Sequence, residues 1–513
     1  MTTIQHRLAQ PFGSFPGILC EWSQERPDAI ALKDERREMR WAEMVEAVER
    51  IAARLQETGL ESGQSVAILG YSSIEYALVF LAAVRAGGVA APLTTSASRA
   101  QLEGMAKDSG AKHLFIDAAK RAELGSDFAP ALDHVALEDV EQWMAGAGIV
   151  ATPYEPRPGD PFNIIYSSGT TGIPKGIVHS HQMRWNQFAR SAAAYLESGG
   201  DVVSIASTPL YSNTTMVAFL APLLAGGTVR VMGKFDARKW LQCAQDDGTT
   251  MTMLVPVQYQ RLMDVEDLES FDLSAMRLKY CTSAPFSAEL KAEVLARMPG
   301  GLTEIYSMTE GGVVCILSCH EFPDKLHTVG RPAPGSQMLV IDDEDNPVPA
   351  GTPGHLVGIG AAMMSGYKDQ PGKTREGYWT NPETGEDWQR MGDIGRVDAD
   401  GFVELVGRAK DMIISGGFNI YPVDLENELA KEADVLEAAV IGVPSRQWGE
   451  TPVGFVTLSD GARSVDAIRE AVNARLGKTQ RLSELHAIDE MPRSHIGKLL
   501  KTELREMLGE PAA

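Results

Sequence analysis

The segment Tyr166-Ser-Ser-Gly-Thr-Thr-Gly-Ile-Pro-Lys-Gly176 packs four hydroxyl side chains (Ser167, Ser168, Thr170, Thr171), three glycines and Lys175 into one short stretch. An apolar, β-branched run at 162–165 precedes it, and residues 182–196 after it carry a helical period. Glycine lets backbone N–H groups approach a ligand closely, hydroxyls donate to phosphate oxygens, and lysine adds a point charge. The Gly-x4-Gly-Lys-Ser/Thr spacing of a Walker A loop is absent. On composition alone, a phosphate-holding loop and a mobile Gly/Ser/Thr surface loop both remain open.

Working outward, strand and helix patterns alternate. Ser65–Leu69 reads as a strand, 73–85 as a helix ending at Gly87-Gly88, and 89–93 as a second strand. Helices that stop at glycine and feed another strand make βαβ units, so largely parallel, buried sheets are expected. The stretch Phe80-Leu-Ala-Ala-Val-Arg-Ala-Gly-Gly88 returns as Phe219-Leu-Ala-Pro-Leu-Leu-Ala-Gly-Gly227, again between two β runs. Two related α/β subdomains would produce this pattern, as would any two βαβ units.

From about residue 340 the chain turns rich in Gly, Pro and Asp, with a hairpin signal at Val397-Asp-Ala-Asp-Gly401. Beyond Gly407 it changes to short strands (438–443, 453–458) and helices (423–431, 465–476, 498–507). About 100 residues suffice for a small α+β domain with its own core. The fold class expected is therefore α/β: a large N-terminal domain of parallel α/β subdomains plus a small β-rich subdomain, and a small mobile α+β C-terminal domain. The boundaries fall at 1–407, a hinge at 408–411, and 412–513.

The 513 residues carry 47 Lys+Arg against 69 Asp+Glu, a formal charge of −22, which disfavours a nucleic-acid partner. An anionic ligand must then be attracted by a local arrangement and not by the overall field. Five sparse cysteines make no disulfide framework and point to a reducing, cytoplasmic location. Cys315, Cys319 and His320 match no common zinc spacing. No apolar run reaches the length of a signal or a membrane span.

The loop string resembles the phosphate-loop signature of the adenylate-forming superfamily, which contains acyl- and aryl-CoA synthetases, luciferases and peptide-synthetase adenylation domains. Further strings follow in that family's order: Tyr306-Ser-Met-Thr-Glu310, Met391-Gly-Asp393, Gly407-Arg-Ala-Lys-Asp411, Ser415-Gly-Gly-Phe-Asn-Ile-Tyr-Pro-Val-Asp-Leu-Glu426 and Pro492-Arg-Ser-His-Ile-Gly-Lys498. The resemblance implies an acyl-CoA synthetase using ATP, Mg2+ and CoA. A carboxylate displaces pyrophosphate from ATP to give acyl-AMP, and a thiol then displaces AMP.

It also implies roles. Thr170, Thr171 and Lys175 would surround the β- and γ-phosphates. Thr309 would donate to the α-phosphate and Glu310 would help hold Mg2+. Tyr306 would stack on adenine against the wall Ser283-Ala284-Pro285. Asp393 and Arg408 would contact the ribose. Lys498 would bridge carboxylate and α-phosphate during adenylation, although it lies in the small domain. That domain must therefore close for the first step and rotate for the second, with Lys410 at the hinge and Gly416-Gly417 lining the pantetheine tunnel.

The acid pocket would be lined by Tyr211, Ser212, Asn213, Gly311 and Gly312. No acid stands in this segment to hold an α-amino group, and Ser212 falls where many relatives carry His. Other departures are Ser307 for Gly, Met391 for Thr and His355 for Glu. Small or apolar lining favours an aliphatic, alicyclic or aromatic acid. No carrier domain is visible, which favours CoA; loading of a separate carrier protein is the alternative. A luciferase-like oxidation and a non-catalytic nucleotide binder stand further off.

Overall fold

The computed structural model describes residues 3–167, 174–199, 201–415, 418–477, 480–494 and 498–509. The chain divides into two compact units. One comprises residues 1–327, 332–337 and 359–389; the other comprises 328–331, 338–358 and 390–513.

The first unit is α/β with two large sheets. In one, the order is Gly366–Tyr367, Lys175–Ser180, Pro161–Ser167, Val89–Pro92, Ser65–Leu69, His113–Ile116, Asp133–Ala136. Its strands are parallel from Pro161–Ser167 onward. The other runs Gly311–Ser318, Gly301–Met308, Leu278–Cys281, Met251–Leu254, Val203–Ala206, Thr228–Val231, Ile30–Lys33, Glu38–Arg40. It is parallel in its centre, with antiparallel pairs at both ends.

The two repeated stretches fold alike. Each forms a buried helix, Ile74–Arg85 or Thr215–Leu224, between adjacent parallel strands. Both helices end in the same Schellman cap. Gly88 N–H donates to Ala83 O at 2.9 Å, and Gly227 N–H to Pro222 O at 2.9 Å. The preceding Gly87 and Gly226 sit at φ 83° and 70°, which a side chain adopts only with strain. The equivalent residues Phe80 and Phe219 meet edge to face, centroids 5.9 Å apart. The repeat therefore marks two like halves that share one apolar core.

Residues 182–196, read as helical, lie in the helix His181–Glu197; between the phosphate-loop segment and that helix the strand Lys175–Ser180, not expected from the sequence, folds back antiparallel on Pro161–Ser167. Residues 168–173 themselves lie outside the described residues. The last helix is Lys501–Met507 and excludes Lys498. Leu500 N–H is taken by Pro492 O at 2.8 Å and Arg493 bridges Leu499, so this backbone is extended where a helix was expected.

In the second unit, a hairpin joins Asp387–Val397 and Val403–Arg408 across the 397–401 turn. The C-terminal sheet is ordered Phe418–Ile420, Ile413–Ser415, Gly449–Leu458, Val435–Ser445, with Glu484–Ala487 beside Gly449–Leu458. It packs on the helices Pro422–Ala430 and Val465–Asn473 through its own core, which includes Leu425, Leu429, Val440, Val456, Ile468 and Val472. Among the described residues, no helix is long and apolar enough to cross a membrane.

Candidate active site

In the first unit the strands Gly301–Met308 and Gly311–Ser318 are an antiparallel pair, and Thr309-Glu310 turns between them. Gly311 and Gly312 both sit at φ 89°. A Cβ on Gly311 would fall 2.0 Å from Ala362 O, so only glycine lets this backbone lie against the 361–364 segment. Met364 N–H donates to Glu310 O at 2.8 Å and pins the turn there. Tyr306 is half-buried three residues before the turn begins, and Ser307 Oγ donates to Val313 O at 3.0 Å.

Tyr367, which the sequence reading missed, draws two expected site residues together. Its hydroxyl donates to Glu310 Oε1 at 2.8 Å, and Lys175 Nζ lies 5.0 Å from its ring centroid. The pairing Tyr367↔Ile177 on the sheet edge sets this geometry. Burial first, then the Glu310 carboxylate, push the phenol well above its ordinary pKa, so it stays a donor. No spacing rule could have found it, because it lies 57 residues from Glu310.

The segment expected to wall the nucleotide carries backbone strain at Ser283. Ser283 is a non-glycine residue at φ 83°, a conformation that costs about 1–3 kcal/mol and clusters at functional sites. Its hydroxyl is hydrogen-bonded to that of Thr214. Thr214 directly follows the expected acid-pocket residues, so Ser283-Ala284-Pro285 and Tyr211-Ser212-Asn213 are brought side by side. Ser212 is buried, its N–H on Pro209 O at 2.9 Å. The Tyr211 hydroxyl is shielded and has no hydrogen-bond partner among the described residues. Asn213 Oδ1 accepts from Arg184 Nη1 at 2.9 Å.

In the second unit Asp393 and Arg408 are cross-strand partners, with Arg408 Nε 3.0 Å from Asp393 Oδ1. Asp393 is buried and Arg408 exposed. Lys410 is exposed in the single 3-10 turn Ala409–Asp411. Lys498 is exposed as a residue, yet its ammonium is crowded. Burial first, then the Arg408 and Lys410 cations, lower its pKa to about 8, against the opposing pull of Asp393 and Asp411. Its backbone is held by Ser494, whose N–H donates to Lys498 O at 2.8 Å and whose Oγ accepts from Lys498 N–H at 3.1 Å. Thr170, Thr171, Gly416 and Gly417 lie outside the described residues.

Among the described residues, no group of three or more His, Cys, Asp or Glu side chains is placed to hold a metal ion. Mg2+ does not need such a cage: it binds through one or two carboxylates plus substrate phosphates and water. Glu310 fits that donor set, since Tyr367 occupies only its Oε1. The five cysteines are free thiols, and Cys315 and Cys319 are buried.

Residues 19–368 match the family model described as AMP-binding enzyme, and residues 424–498 match that of the AMP-binding enzyme C-terminal domain. A feruloyl-CoA synthase from Amycolatopsis sp is 31% identical, over 98% of this chain and 99% of its own length. The indoleacetate–CoA ligase of Aromatoleum aromaticum is 29% identical, over 96% and 98%. The crystal structure of ATP-bound MatB from Rhodopseudomonas palustris superposes with TM-score 0.84 at 28% identity, over 96% of this chain and 98% of that one. The chain thus belongs to the AMP-binding enzyme family, in the acyl-CoA synthetase branch of the adenylate-forming superfamily.

Proposed function

We propose that the chain is an AMP-forming acid–thiol ligase that converts a carboxylic acid, ATP and CoA to acyl-CoA, AMP and pyrophosphate. The observation that carries this reading is the link Lys175–Tyr367–Glu310. It sets a cation from the end of the phosphate loop and a carboxylate from the adenylate turn on one phenol. Both reactants of the first step are anions, so the site must supply fixed donors and cations where charge develops. Thr170, Thr171 and Lys175 hold the β- and γ-phosphates. Thr309 donates to the α-phosphate. Glu310 ligates Mg2+, which when bound neutralises phosphate charge. Tyr306 and the Ser283-Ala284-Pro285 wall sandwich adenine, and Asp393 with Arg408 receives the ribose.

Lys498 stabilises the carboxylate–phosphate transition state, and the domain 412–513 then rotates about 408–411 so that Gly416-Gly417 admits the thiol. Lys410, exposed in its turn, is the hinge. Lys410→Pro fixes φ there and removes an N–H. It is expected to slow thioester formation more than pyrophosphate release, as measured by single-turnover assays of each half-reaction. Equal rates in both would move the hinge elsewhere.

The acid is apolar-tailed: aliphatic, alicyclic or aromatic. Supporting this, the relatives above act on indoleacetate and ferulate, and the segment 211–213 offers hydroxyls and an amide but no charge of its own. Free thiols support a cytoplasmic location. Competition between CoA and a holo-carrier protein in a thioester assay tests the acceptor. CoA is expected to be acylated preferentially; exclusive carrier loading would reject the CoA assignment.

A further inference from the structure

Arg184 is 1% exposed, yet its guanidinium meets no carboxylate among the described residues. It is held by four neutral acceptors. Nε donates to Asn163 Oδ1 at 2.8 Å, Nη1 to Gln187 Oε1 at 2.7 Å and to Asn213 Oδ1 at 2.9 Å, and Nη2 to His179 Nδ1 at 2.7 Å. A guanidinium only donates, so this last bond fixes the tautomer of His179. His179 Nε2 must carry the proton and donate to Thr309 O at 2.8 Å. Burial, then the Arg184 cation, hold the imidazole well below its usual pKa, which keeps it in this neutral form.

Burying an unpaired charge is costly, and an apolar side chain would fill the same space without that cost. Two of the four acceptors lead to the site: Asn213 belongs to the acid segment, and His179 reaches the adenylate turn. We infer that Arg184 is a positioning residue that ties the acid segment at Asn213 to the Thr309–Glu310 turn through His179, fixing the distance between the bound acid and the donors of the α-phosphate. The inference rests on the ligase reading, which gives Asn213 and Thr309 their roles. The guanidinium also places a positive charge beside Asn213 in a chain of net charge −22, the kind of local arrangement an anionic substrate requires.

The test compares Arg184→Met, Arg184→Lys, His179→Gln and the Arg184→Met/His179→Gln double variant in acid-dependent ATP–pyrophosphate exchange, with thermal unfolding alongside. Arg184→Met is expected to lower kcat about 100-fold, the scale of a 1 Å misplacement, with KM for ATP little changed. Lysine keeps the charge but lacks the fork, so Arg184→Lys is expected to recover only a small part of the loss. The double variant is expected to be no worse than Arg184→Met alone, as for residues acting as one unit. Unchanged kcat per folded site, with only a lowered Tm, would reduce Arg184 to a core residue and overturn the inference. So would full rescue by lysine, or additive losses in the double variant. Thr309→Ala separates the layers: if it leaves exchange intact, the ligase reading of the turn fails; if it abolishes exchange while Arg184→Met does not, the tether fails.

Discussion

Lys498→Ala is expected to abolish carboxylate-dependent pyrophosphate release while largely sparing thioester formation from supplied acyl-adenylate. Removing one preorganised donor from a developing oxyanion costs about 10²–10³ in kcat, and this lysine supplies a full charge. Burial first, then repulsion from the Arg408 and Lys410 cations, depresses the Lys498 ammonium against the weaker pull of Asp393 and Asp411. An arriving carboxylate or phosphate relieves that repulsion and favours the ammonium. The sign of the pH dependence follows. The protonated form is active, so kcat/KM for adenylation should fall as pH rises through about 8. Lys498→Arg, charged at every accessible pH, should lose this basic limb. Equal losses in both half-reactions would reject the assignment.

The second large effect is expected for Glu310→Gln. The amide preserves size and can still accept from Tyr367, whose hydroxyl stays protonated. It removes the negative charge that a hard divalent cation requires. The rate of pyrophosphate exchange should fall about 10²-fold or more, the scale of a lost electrostatic contact in the transition state. The Mg2+ concentration giving half-maximal rate should rise. A fall in rate with no change in that concentration would assign Glu310 a purely structural role in the turn. Tyr367→Phe provides the control: it frees Glu310 Oε1 and should perturb the metal dependence less than Glu310→Gln.

The sequence was most informative where local signals agree. The two Phe-Leu-Ala…Gly-Gly stretches announced helices with identical caps, and the cap bonds at Gly88 and Gly227 bear this out. Glu310 and Lys175 stand out in their strings, and the fold brings both of them to one tyrosine. What was not legible depends on long-range contact. Tyr367 acts on a residue 57 positions away, and His179 on one 130 positions away. Arg184, read locally, is a polar residue in an amphipathic helix; only the tertiary packing of Asn163, His179 and Asn213 around it reveals a buried charge. The strand Lys175–Ser180 escaped because its pairing partner, not its own period, makes it a strand. The late start of the last helix has the same cause, since the bond from Leu500 to Pro492 competes with the helix at Lys498.

This chain is expected to activate a carboxylate as its adenylate before any thiol is involved. The most direct measurement is exchange of labelled pyrophosphate into ATP, with Mg2+, without CoA, across aliphatic, cyclohexane, phenylpropenoic and benzoic acids. Exchange that requires both the acid and Glu310, followed by AMP release when CoA is added, is the expected result. Absence of exchange with every acid, or formation of ADP in place of AMP, would contradict it.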